Sequence, residues 1–143
     1  ERGLLVAQAF VRLGVDHALV VHGRIGMDEV SPVGETDVWE VRDSAVRHWT
    51  IIPDRYGLGS SSSDSLRGGS PAENAIRLRA LLEGAEDSAG RSALILNGGA
   101  AIYVSGLTGT YEEGLARARV ALEQGQARAA LDRLRRASPS TSG

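Results

Sequence analysis

The chain has 143 residues, 42% of them apolar, and a formal net charge of −2, which suits one globular domain or a large piece of one and gives no footing for a general affinity to nucleic acid or an anionic membrane. Cysteine is absent, which excludes a disulfide framework and a thiolate zinc site. All 16 basic residues are arginine, so no lysine is available for a Schiff base or a phosphate-binding loop.

In chain order, Leu4, Leu5, Ala9, Phe10 and Leu13 recur at helical spacing, and Gly14 stands where a C′ glycine ends a helix. The run "DHALVVHG" is short, continuously apolar and closed by glycine, which predicts a buried strand at Ala18–Val21, central and parallel to its neighbours. From Thr36 to Ile52 two runs rich in β-formers flank Asp43-Ser44, which predicts an antiparallel hairpin at a sheet edge. Its Arg47, His48, Trp39 and Trp49 are expected in cross-strand packing and solvated positions. "GLGSSSSDSLRGGSP" reads as a loop that closes on a helix start: Ser70 as N-cap, Pro71 in the first turn and Glu73 three residues after the cap. Leu78, Leu81 and Leu82 give that helix its apolar face, and Gly84 ends it. A nearly apolar helix over Ala89–Ser105 is expected to be buried, with Gly98-Gly99 tolerated where another backbone packs close. Thr110 caps a fourth helix, and "QARAALDRLRRA" supplies a fifth. "SPSTSG", residues 138–143, is expected to be a disordered tail. The fold class is therefore α/β, with a parallel central sheet flanked by helices and an antiparallel hairpin.

Chemistry concentrates in "HGRIGMDEVSP", His22 to Pro32, where the chain leaves the first strand, passes two glycines and places Asp28 beside Glu29. Ligands of open α/β sheets bind beyond the carboxyl ends of strands. Magnesium accepts one or two carboxylates and completes its octahedron with water and substrate phosphate. Asp28 and Glu29 are thus candidate Mg²⁺ ligands, and a salt-bridged surface loop is the alternative from pattern alone. His22 is the histidine nearest this turn.

The motifs also stand in a recognisable order. "ALVVHGRIGMDEVSP", "TDVWEVRDSAVRHWTIIPDRYGL", "LRGGSPAENAIRLRALLEG", "ALILNGGAAIYVSG" and "YEEGLARARVALEQGQARAALDRL" together resemble anthranilate phosphoribosyltransferases from Leu4 to Leu134. The resemblance implies a catalytic domain of the nucleoside phosphorylase/phosphoribosyltransferase type. It also implies transfer of phosphoribose from 5-phosphoribosyl 1-pyrophosphate (PRPP) to anthranilate, with release of pyrophosphate, in tryptophan biosynthesis. Asp28 and Glu29 would hold Mg²⁺ there, and His22, Gly23 and Gly26 would line the substrate. A cytoplasmic homodimer is implied, with no nucleic-acid or membrane partner. The family's Gly-Thr-Gly-Gly-Asp loop is not in the sequence, so residues 1–137 are expected to be the C-terminal part of the domain and inactive alone. Arg24-Ile25 and Asp43-Ser44 depart from the family's usual turn residues. A nucleoside phosphorylase of the same fold and a non-catalytic nucleic-acid-binding paralogue are the competing readings. The Met27–Pro32 string and the Gly-Gly-Ser-Pro helix start argue against the first, and the acidic, lysine-free composition against the second.

Overall fold

The computed structural model describes residues 2–61 and 66–138. Helix α1 (Arg2–Arg12) leads into strand β1 (His17–Gly23), followed by β2 (Thr36–Arg42), β3 (Ala45–Ile51) and a 3-10 turn at Pro53–Tyr56. Helices α2 (Pro71–Leu82), α3 (Ser88–Val104), α4 (Tyr111–Glu123) and α5 (Gln126–Ala137) complete the chain. Gly14, at φ 73°, ends α1 as expected: its N–H returns to the Val11 carbonyl, and that of Val15 to Phe10. Ser70 and Thr110 each form a complete capping box, with Glu73 and Glu113 as reciprocal partners. Residues 139–143 of the expected tail lie outside the described residues.

The sheet corrects one expectation. Its order is β1-β2-β3 and both pairings are antiparallel, with His17 opposite Arg42 and Gly23 opposite Thr36. No parallel pair occurs among the described residues, and β1 is an edge strand there rather than a central one. Ala18–Val21 are half-buried rather than buried, and α1 and α3 pack against β1 without parallel neighbours. The chain from Arg24 to Glu35 contains no helix, and a connection without a crossover returns antiparallel. The hairpin is as expected, with Asp43 and Ser44 both at positive φ, 51° and 60°, in the manner of a two-residue primed turn.

Alternation along the strands separates two faces. On one, Trp39 packs against α1 where Gly3 leaves room: a Cβ there would fall 2.2 Å from the indole. On the other, Val38 and Ile51 pack with Ile95, Leu96, Leu115 and Leu122 into the main core. Helices α3 and α4 cross at Gly99 and Gly114, where a Cβ on Gly114 would stand 2.4 Å from the Gly99 carbonyl oxygen. This is the close backbone approach anticipated for the glycine pair, although only Gly99 makes it; Gly98 has ordinary space. No helix among the described residues is long and apolar enough to cross a membrane.

Candidate active site

The acidic turn grows directly from β1. Gly26 donates to the Gly23 carbonyl at 2.8 Å, and Gly23 donates to Met27 at the same distance, closing a tight loop over Arg24, Ile25 and Gly26. Gly26 takes φ 96°, open to glycine with little strain. Gly23 matters for a different reason. A Cβ there would lie 3.1 Å from the Cβ atoms of both Met27 and Ser31, a tight contact that the returning chain would have to relieve by shifting a few tenths of an ångström. Sequence places the two glycines; the structure assigns one to conformation and the other to contact.

Beyond the loop, Asp28 and Glu29 are exposed, and neither carboxylate makes an ion pair or hydrogen bond among the described residues. The cation of the same turn is committed elsewhere. Arg24 forms a bidentate pair with Asp37, at 3.0 and 2.9 Å, and a further contact with Glu35. The Arg24 hydrogen bonds hold the Asp37 carboxyl below its ordinary value, against a smaller opposing effect of burial. The salt-bridged surface loop therefore exists, but its acids are Glu35 and Asp37, not Asp28 and Glu29.

Immediately after the exposed pair the chain dives inward. Val30 is 1% exposed, and Ser31 and Thr36 are fully buried. Ser31 N–H donates to Thr36 Oγ1 at 3.0 Å, and Ser60 N–H to the Pro32 carbonyl at 2.8 Å. Asn97, from the middle of α3, meets both backbone groups of Val30 at 2.9 Å. The two carboxylates thus sit on a base fixed from several elements.

A cavity of about 530 Å³ opens beside this base, lined by Met27, Glu29, Gly68, Asn74, Arg77 and Asn97 among others. Just before α2 two amides are already occupied: Glu73 accepts from Ser70 N–H at 2.8 Å, and Asn74 accepts from Gly69 N–H at 2.8 Å. Gly23 and Gly26 belong to the turn itself. His22 is exposed, in register with Asp37 and on the pleat side of Trp39, the side opposite Gly23. It does not join Asp28 and Glu29 as a third ligand, since no cluster of three His, Asp or Glu able to hold a metal occurs among the described residues. Two free carboxylates without a third protein ligand fit Mg²⁺, which keeps waters and takes substrate oxygens, and do not fit an ion caged wholly by protein.

A second acidic centre was not singled out from sequence. Glu40 is 2% exposed, on the core face of β2. Its carboxylate accepts from Tyr103 Oη at 2.5 Å, Arg47 at 3.0 Å, Trp49 Nε1 at 3.0 Å and meets His17 Nε2 at 3.2 Å. Burial pushes this carboxyl up, but the donors Tyr103, Arg47 and His17 outweigh it and hold the group below its ordinary value. The signal was in the period: Glu40 shares the parity of Val38, so a charge was due on the buried face.

Against known proteins, residues 1–128 match the family model described as "Glycosyl transferase family, a/b domain". The chain is 45% identical over 130 residues to the anthranilate phosphoribosyltransferase of Haloarcula marismortui, covering 91% of itself and 39% of that relative. Among solved structures it is similar to the anthranilate phosphoribosyltransferase of Thermus thermophilus, with a TM-score of 0.78 and 39% identity over 89% of this chain and 37% of that one. The Saccharomyces cerevisiae enzyme in complex with PRPP and Mg gives a TM-score of 0.70 at 26% identity, over 81% of this chain and 33% of that one. The chain thus spans about two fifths or less of the length of these proteins. With the matched residues running through the acidic turn and all three strands, the chain belongs to the glycosyl transferase family, in its α/β domain.

Proposed function

We propose that the protein carrying this chain is an anthranilate phosphoribosyltransferase, and that residues 1–137 form the C-terminal part of its catalytic domain. The observation that carries the reading is the Asp28-Glu29 pair, exposed and without a protein partner among the described residues, on a turn held from α3 and β2. The relatives' names and the PRPP and Mg of the Saccharomyces cerevisiae complex supply the substrate class. In the reaction the bond between ribose C1 and the pyrophosphate oxygen breaks. A bond from the anthranilate nitrogen to C1 forms, and the nitrogen loses a proton.

Asp28 and Glu29 would hold Mg²⁺, which when bound offsets the negative charge gathering on the departing pyrophosphate. The rest of the turn's work is positional. Gly23 lets the chain return closely enough to aim both carboxylates outward, and Gly26 closes the loop that carries them. His22, Gly23 and Gly26 form the substrate rim in this reading. Arg24, bound to Asp37 and Glu35, keeps its charge away from the pair. Contacts to the other side of the diphosphate and to anthranilate would come from outside these 143 residues, so the chain alone is expected to be inactive. Parallel strands of the whole domain would add at β1, whose outer edge has no partner strand among the described residues. The protein would work as a cytoplasmic homodimer.

The test is anthranilate consumption by the whole protein with PRPP and Mg²⁺. Activity that a chelator abolishes and Mg²⁺ restores is expected. A protein inert toward anthranilate but able to cleave nucleosides with inorganic phosphate would instead be the phosphorylase of the same fold.

A further inference from the structure

Asn97 does more than fill space between α3 and the turn. Its Oδ1 accepts the Val30 N–H at 2.9 Å, and its Nδ2 donates to the Val30 carbonyl at 2.9 Å. The other Nδ2 hydrogen goes to the Ala93 carbonyl at 3.0 Å, one turn back along the same helix. Both donors are used, and the carbonyl oxygen has its acceptor role. A side-chain amide thus pairs with the two main-chain groups of one residue, as a neighbouring strand would. Val30 directly follows Glu29.

Only an amide of this length fits both bonds. Aspartate could keep the N–H contact but would set a carboxylate against two carbonyl oxygens. Leucine, of similar bulk, would leave buried backbone groups of Val30 unpaired. The helix behind Asn97 is itself firmly placed. Asp87 caps its start through Gly90 N–H at 2.9 Å, and Gly99, two residues beyond Asn97, lies against the backbone of α4.

We propose that Asn97 is a positioning residue for the Asp28-Glu29 pair. By fixing the peptide after Glu29 to α3, it steadies the backbone from which the two carboxylates would reach a shared divalent cation. This inference rests on the reading of Asp28 and Glu29 as the metal pair, and its test separates the two. Partners that orient metal ligands typically change metal affinity about 10- to 100-fold when replaced.

The experiment uses the whole protein with Asn97→Asp, and Asn97→Ser as a second variant should the first fail to fold. Asp28→Asn/Glu29→Gln serves as the reference. Mn²⁺ binding at fixed PRPP is followed by electron paramagnetic resonance, beside KM for anthranilate and amide hydrogen exchange. The expected result is Mn²⁺ affinity lowered about 10-fold or more, with KM for anthranilate within twofold. Exchange should be faster at Val30 and Ser31 while Val38 and Val41 stay protected. A variant that loses thermal stability yet binds Mn²⁺ as tightly as before would overturn the proposal and leave Asn97 a core staple. If the reference variant also keeps its Mn²⁺ affinity, the metal reading itself falls. If only the reference loses it, the metal reading stands and the role of Asn97 does not.

Discussion

Asp28 and Glu29 at the end of β1, and Glu40 in the middle of β2, dispose of negative charge in opposite ways. The first two are exposed and accept nothing from the described residues, although Arg24 lies only a few positions away. Glu40 is buried and surrounded by Tyr103, Arg47, Trp49 and His17. A carboxylate saturated by its own protein joins β1, β2, β3 and α3 into one unit, and has no capacity left for a ligand. A carboxylate left unpaired adds little to stability and remains able to bind. Rigid backbone beneath the free pair and an occupied carboxylate in the core are two halves of one arrangement.

Four changes break or sharpen this contrast. The largest effect is expected for Asp28→Asn/Glu29→Gln in the whole protein. Turnover should fall by about 100- to 1,000-fold, as for loss of transition-state charge stabilisation. Unfolding free energy should stay within about 0.5 kcal/mol, as is usual for exposed positions. Steady-state kinetics beside denaturant melts check both parts, and equal loss of stability and rate would erase the distinction. Glu40→Gln should do the reverse. About 1–3 kcal/mol of stability is expected to go, because buried donors lose a charged acceptor, while the Mg²⁺ concentration for half-maximal rate stays put.

A smaller effect concerns acid. Glu40 titrates below its ordinary value in the folded chain, so in the acid range the unfolded chain binds more protons. Stability present above the ordinary glutamate value, about 4.3, should therefore fall as pH drops through the lower folded value. Asp37 and Asp87 act in the same direction. Melts from pH 7 downward should show a shallower acid loss in Glu40→Gln than in the parent, and parallel curves would mean Glu40 contributes nothing. The smallest effect is expected at the hairpin's tip, where Ser44 holds φ 60°. Ser44→Gly should add about 1 kcal/mol by relieving left-handed strain. Calorimetry checks the gain, and metal binding should not respond.

The helices were legible because their signals are local. Ser70 with Glu73, Thr110 as an N-cap, and Gly14 each act within a few residues, and the structure uses them as the spacing predicts. The hairpin was legible for the same reason. The direction of β1 was not, since an apolar run says that both faces are covered without saying what pairs at its edges. In the site, the carboxylate pair could be read from Asp28-Glu29. Its freedom could not, because Arg24 had several acids within reach along the chain and the fold chose Asp37 and Glu35. The Asn97 contact to Val30 spans 67 positions, and the Glu40–Tyr103 bond 63. No short window of sequence holds both ends of such a bond.

The crossing of α3 and α4 has a consequence for how this sequence can drift. At Gly99 an added methyl would stand 2.9 Å from the main-chain nitrogen of Leu115, and at Gly114 2.4 Å from the main-chain oxygen of Gly99. Both positions collide with backbone, Gly99 also with the Leu115 side chain at 2.7 Å. Shrinking a neighbouring side chain relieves neither, so the usual escape, a paired substitution that trades large for small, is closed. Each position is locked separately from the other. In a library of random variants selected for folding, 99 and 114 should stay glycine while the contacts around them are freely rewritten.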